Sequence, residues 1–183
     1  MQEDDFIVVQ GCGPIGLGII MLARYLGAEV IALDVNPQRI NYARNHFDVV
    51  ASFNPLDKKD QQLLTDMLKT RKADVVIDAT GNAKAIPGVV RYMRHGGKLV
   101  LVGIANTEIS FHHPSIHAKE TTIICSRNAT PADFELVIEA MVAGALNMND
   151  YVTRKVGSGE IADQIDYWIS PDSPDIKIVT AWD

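Results

Sequence analysis

The sequence predicts an α/β fold: a doubly wound parallel sheet with a C-terminal helical extension. Three observations predict it. Short apolar runs alternate with amphipathic stretches of about 10–15 residues, the rhythm of right-handed βαβ crossovers. The run Val30, Ile31, Ala32, Leu33 is continuously apolar, as in a strand buried on both faces. A glycine loop, Gly11-Cys-Gly-Pro-Ile-Gly16, stands between the first β-prone run and the first helical pattern.

The elements follow in order. Residues 6–10 form the first strand. Pro14 takes the first helical position, where its missing N–H costs nothing. That helix reaches about residue 26, and Gly27 supplies a left-handed stop. Residues 29–34 form the second strand. Asn36-Pro37 opens a helix to about Asn45, and 49–52 is a short third strand. Leu63, Leu64, Met67 and Leu68 give a helix over 60–69. Residues 74–78 form the fourth strand. A helical stretch over 82–93 is expected to be irregular at Pro87. Gly96-Gly97 turns the chain into a fifth strand over 98–102.

Beyond Gly103 the rhythm changes. Stretches from Glu108 to Phe111 and from Thr121 to Ser126 read as two strands, joined by a polar loop holding His112, His113 and His117. Thr130 caps a helix opened by Pro131 and Asp133. Ser158 caps another that carries Ile161, Ile165 and Trp168. Residues 176–180 are expected as an edge strand. The division is placed at Cys125: 1–125 a dinucleotide-binding domain, 126–183 helices and a strand.

The totals narrow the function classes. A length of 183 residues, 47% hydrophobic, supports one good core. No apolar run reaches the roughly 18 residues of a membrane span, and the acidic start at 1–5 is no secretory n-region. With 17 basic against 23 acidic residues, no global attraction for nucleic acid is expected. Cys12 and Cys125 form no C-x-x-C pair and read as buried thiols of a cytoplasmic protein.

The glycine loop is the chemical signal. G-x-G-x-x-G between a strand and a helix suits a dinucleotide, as in the Rossmann, NAD(P)-binding kind of sheet. Gly11 permits the tight turn, Gly13 lets phosphate approach the backbone, and Gly16 lets helix and strand pack closely. Pro14 and Ile15 open the helix whose N-terminus faces the pyrophosphate. Asp34, 18 residues beyond Gly16, ends the second strand. Its carboxylate accepts from both ribose hydroxyls and repels a 2′-phosphate, which predicts NAD over NADP. Arg39 is either a ribose or adenine-edge ligand or a group that tolerates a 2′-phosphate. Ala79 and Thr80, and Val102, Gly103 and Ile104, follow strands four and five on the same rim, because ligands of open parallel sheets bind at strand carboxyl ends.

Other constellations carry less. His113 and His117 have i, i+4 spacing, but Pro114 interrupts it and no third ligand beyond a loose Glu120 is evident. They are expected in a solvated loop, and no metal ligand is assigned. Ser126, His112 and Asp133 lack a G-x-S-x-G elbow.

The residues G-C-G-P-I-G-L-G (11–18), A-L-D-V-N-P-Q-R (32–39), V-I-D-A-T-G (76–81), H-G-G-K-L-V-L-V-G (95–103) and K-E-T-T-I-I-C-S-R-N-A-T (119–130) resemble the zinc-type medium-chain alcohol and polyol dehydrogenases, including the sorbitol, threonine and sugar-acid enzymes. Ser126 to Thr130 is similar to a bacterial branch with galactonate 5-dehydrogenase. The resemblance implies NAD as cofactor and hydride transfer from a secondary alcohol. It implies that Arg39 adds to the ribose contact and that Val102, Gly103, Ile104, Cys125, Ser126 and Arg127 line the nicotinamide. It places zinc and its ligands in an N-terminal lobe of roughly 150 residues, of domain size, and no matching segment stands before residue 6. The chain is therefore expected to be a truncated cofactor lobe with its C-terminal stretch, without catalytic residues and inactive alone. The apolar faces of 131–144 and 161–169 and the strand 176–180 are expected to lack cover and favour oligomers. The family's dimer contact would run edge to edge from Thr107 to His112. Two other readings fit part of the pattern: a stand-alone NAD-binding regulatory module, and a zinc-free quinone or enoyl reductase fragment.

Overall fold

A computed structural model describes residues 3–170 and 173–182. The ends of the two expected segments, at 1, 2 and 183, lie outside the described residues. Strands β1 (Phe6–Gln10), β2 (Glu29–Leu33), β3 (Ala51–Phe53), β4 (Ala73–Asp78), β5 (Met93–Leu101) and β6 (Thr122–Cys125) form one parallel sheet. Its order is β3-β2-β1-β4-β5-β6, reversing direction between β1 and β4. Helices α1 (Pro14–Tyr25), α2 (Pro37–His46) and α3 (Lys58–Thr70) connect the first strands. The expected doubly wound sheet is present.

Strand periodicity builds the two core layers. Ile7 and Val9 of β1 face one side with Val30, Ala32, Leu17 and Ile20. Phe6 and Val8 face the other with Ile31, Leu33, Leu64 and Leu68. Every residue of β1 is buried, as a strand covered on both faces requires. Gly27 (φ +84°) ends α1 in a Schellman motif: its N–H donates to the Arg24 carbonyl and the Ala28 N–H to that of Ala23.

The structure corrects several expectations. Gly96-Gly97 does not precede the fifth strand but lies within β5, where the β4–β5 register shifts. The helical stretch expected over 82–93 is shorter than that, a 3-10 helix at Ile86–Tyr92 with Pro87 in its first turn. Residues from Glu108 to Phe111 form no strand; Ile109 and Phe111 pack on the core from irregular chain. The edge strand expected there for dimer contact is thus absent among the described residues. The histidine loop is helix α4 (His113–Ala118), with Pro114 harmless in its first turn. Cys125 is exposed, not buried.

After β6, Thr130 caps α5 (Pro131–Val142) as expected: its side-chain oxygen accepts the Asp133 N–H, and its own N–H donates to Asp133 Oδ2 at 2.7 Å. Short α6 (Met148–Tyr151) and strand β7 (Arg154–Gly157) were not foreseen. A 3-10 turn (Ser158–Glu160) leads into α7 (Ile161–Trp168), and Glu160, rather than Ser158, secures that opening by accepting the Gly157 N–H at 2.8 Å. The last strand, β8 (Ile178–Ala181), pairs with β7 in a separate two-stranded parallel sheet. This extension rests on α1: Ala140 and Leu146 enter the core beside Ile20 and Met21, and the Tyr151 hydroxyl donates to the Pro14 carbonyl at 2.9 Å. Phe134, Ile138, Met141, Val142, Ile165 and Ile169 remain exposed.

Candidate functional site

The glycine loop leaves the carboxyl end of β1 at the point where strand order reverses, the usual ligand crevice of such sheets. Gly11 has φ +101°, and a Cβ there would stand 2.9 Å from Thr80 Cγ2. A Cβ on Gly16 would come within 1.7 Å of the Gly11 carbonyl oxygen, so only glycine lets the helix start this close to the loop. Gly13 differs. It caps α1, and a Cβ there would meet only Arg39 Nη1, at 3.8 Å. Open space therefore stands in front of the helix N-terminus. The first N–H groups of α1, including those of Ile15 and Gly16, have no acceptor within the helix and face that space.

Asp34 lies across the groove. Its Oδ2 accepts the Cys12 N–H at 2.7 Å and its Oδ1 the Asn36 N–H at 2.8 Å. Each oxygen keeps a further lone pair. The residue is 8% exposed, so its position is fixed by backbone rather than solvent. Arg39 follows on α2, whose N-cap Asn36 accepts from the N–H groups of Gln38 and Arg39. The Cys12 side chain, within the loop, is fully buried. Burial, and then the Asp34 charge, push its thiol up to about 12.

Asp78 holds the facing wall. It is fully buried, its Oδ1 accepting from Gln10 Nε2 (3.0 Å) and Thr80 Oγ1 (2.7 Å), and its Oδ2 from the Gly81 N–H (3.0 Å). That network ties β1 to the loop after β4.

A groove of about 710 Å³ runs over these parts. Gly11, Gly13, Pro14, Ile15, Asp34, Arg39, Ala79 and Thr80 line it. Gly16 lies under the helix start instead. Val102, Gly103 and Ile104 stand outside the groove but against its wall: a Cβ on Gly81 would touch the Ile104 carbonyl at 2.5 Å. Cys125, Ser126 and Arg127 also fall outside; the Ser126 N–H extends the sheet ladder to the Leu101 carbonyl at 2.9 Å. Sequence reasoning missed Lys84, Gly88 and Arg91, which line the side opposite the glycine loop.

A dinucleotide fits this arrangement: a cradle at Gly13 that a side chain would fill, a helix opening, and the two carboxylate oxygens of Asp34 on the same groove. The family's zinc has no ligand set in this groove: among the described residues no group of three or more His, Cys, Asp or Glu side chains is placed to hold a metal.

The family model described as zinc-binding dehydrogenase matches residues 14–143. L-galactonate-5-dehydrogenase of Escherichia coli K12 is 36% identical over 157 residues, covering 86% of this chain and 46% of that protein. D-xylulose reductase A of Aspergillus niger is 30% identical over 155 residues, covering 82% and 43%. The chain spans about half the length of the curated relatives it matches. Among solved structures, a short chain alcohol dehydrogenase of E. coli CFT073 complexed with NADH superposes with TM-score 0.87 at 22% identity, over 98% of this chain and 53% of that one. 2R,3R-butanediol dehydrogenase of Bacillus subtilis gives 0.87 at 21%, over 98% and 51%. At such identities these two show the shared fold.

Proposed function

The chain belongs to the zinc-binding dehydrogenase family, and from that premise we propose that it is the NAD-binding portion of an oxidoreductase acting on a secondary alcohol of the polyol or sugar-acid class. One observation carries the reading: Asp34 and the opening of α1 face the same groove, with an unfilled cradle at Gly13 between them.

In this reading bound NAD supplies the hydride acceptor. The N–H groups opening α1 hold its pyrophosphate, and the helix dipole adds to them. Asp34 accepts from the adenosine ribose hydroxyls with the lone pairs that Cys12 and Asn36 leave unused. Arg39, within reach of the Gly13 cradle, offsets phosphate charge or braces the ribose. Ala79 and Thr80, held by Asp78, form the wall along which the cofactor extends toward Val102, Gly103 and Ile104, and Cys125, Ser126 and Arg127 complete the nicotinamide side. The alcohol and the zinc chemistry of the family description have no ligand set among the described residues, so no catalytic step is assigned to this chain and it is inactive alone.

The same reading takes 1–125 as the dinucleotide-binding domain and 126–183 as its extension, supported by the main sheet ending at β6. It places the protein in the cytoplasm, in keeping with two free cysteines. It also takes the chain as part of a homo-oligomer, supported by the exposed apolar face of α5. The test of the main claim is titration with NADH and NADPH, followed by fluorescence. Saturable NADH binding, tighter than NADPH, supports it; no binding, or equal or tighter NADPH, overturns the assignment of Asp34.

A further inference from the structure

At the other end of β5, three of the chain's five histidines gather. His95, near the start of β5, and His113 and His117 of α4 line one hollow of about 750 Å³, with Glu120 on its rim. The β5 start is fixed to the α4 end by the Gly96 N–H donating to the Lys119 carbonyl at 2.7 Å. Residues four apart on a helix share a face, and the His113 and His117 rings stand with centroids 5.5 Å apart, tilted at 50°. Two imidazoles that hold one ion at about 2.0–2.1 Å from nitrogen, at a tetrahedral angle, have centroids a little over about 5 Å apart. Neighbouring His112 points elsewhere, its Nδ1 bonded to Ser115 Oγ at 2.7 Å. Among the described residues, no ring hydrogen bond engages His113 or His117, so their lone pairs are uncommitted.

We propose that His113 and His117 form a two-point site for a divalent transition cation that favours imidazole, separate from the dinucleotide groove. Among the described residues no third side chain converges with them; water completes the coordination, with Glu120 and His95 beside it as outer partners. Imidazole ligands suit zinc, copper and nickel rather than magnesium or calcium.

The test is calorimetric titration of the full chain with nickel(II) alone, repeated with magnesium. One nickel ion should bind per chain and magnesium should not. His113→Asn and His117→Asn should each weaken nickel binding by more than about tenfold, since removing even an outer partner of a ligand costs at least that. His112→Asn should leave it unchanged. Both rings are exposed, so thermal melting of the variants should match that of the parent chain. A second measurement needs no substitution: substoichiometric nickel should broaden the His113 and His117 ring proton resonances before those of His46 and His112. Absence of nickel binding, retention of binding in the double variant, uniform broadening of all five histidines, or equal losses in His112→Asn would overturn the proposal.

Discussion

The Asp34 carboxylate accepts the backbone N–H of Cys12 at 2.7 Å, across the seam between β2 and the glycine loop. One oxygen thus fixes the loop that shapes the phosphate cradle, while the same carboxylate points a free lone pair into the groove. In the proposed reading, loop geometry and ribose recognition are therefore coupled through a single side chain. A charge-assisted bond of this kind contributes about 1.5–3 kcal/mol.

Asp34→Asn separates the two roles. The amide oxygen still accepts from Cys12, but the charge and one acceptor are lost. NADH affinity should fall about 10- to 100-fold, the equivalent of one such bond. The preference for NADH over NADPH should narrow, because the repulsion of a 2′-phosphate is gone. Parallel titrations with both cofactors measure this.

Gly13 and Gly16 should respond in opposite ways. Gly13 has φ −74° and ψ −174°, accessible to any residue, and open space beyond it. Gly13→Val should fold with nearly unchanged melting and lose NADH binding, since its side chain occupies the phosphate position. Gly16→Ala drives a methyl into the Gly11 carbonyl and should destabilise the chain by at least about 1–3 kcal/mol. Thermal unfolding beside NADH titration distinguishes the two.

The two thiols should differ sharply in reactivity. Cys12 is fully buried with its thiol pushed up to about 12, whereas Cys125 is exposed. Alkylation of the native chain at neutral pH should modify one equivalent, and Cys125→Ser should remove it. The raised Cys12 value also has a sign for stability. The folded state holds its proton longer than the unfolded state, whose thiol titrates near 9.0, so this contribution is intact below pH 9 and is lost as pH climbs toward 12. Cys12→Ala should flatten that alkaline decline in urea midpoints.

Asp74 governs the acid side. Partial burial raises its carboxyl, but the Arg94 hydrogen bond, the Phe6 N–H and the charges of Arg94 and Arg71 outweigh that and hold it below the usual range. Its contribution is therefore full above the ordinary carboxylate value of 3.8 and is lost as pH falls through the lower folded value. Asp74→Asn should cost about 1 kcal/mol at neutral pH, discounted because both arginines are about half exposed. It should also weaken the acid dependence of unfolding, read from denaturant midpoints across pH.

What the sequence displayed and what it concealed follow from the range of the interactions. The glycine loop, Pro14, Gly27 and Asp34 act on neighbours in the chain or on an adjacent strand, so their roles are legible in local order. The stretch from Glu108 to Phe111 alternates polar and apolar residues and reads as a strand. Its two apolar side chains are satisfied instead by packing downward onto the core from irregular chain. In β7 only Val156 is buried, so no alternation marks it, and its partner β8 begins 24 residues beyond its own first residue. Arg91 reaches the groove on a 3-10 segment rather than an α-helix, and Lys84 from the turn before it. No local pattern fixes that choice.

A crystal of the chain grown with NADH tests the central claim most directly. Density for a diphosphate is expected on the N–H groups of Ile15 and Gly16, with a ribose whose hydroxyls donate to Asp34. A cofactor bound elsewhere, with the groove between Gly13 and Asp34 vacant, would contradict it.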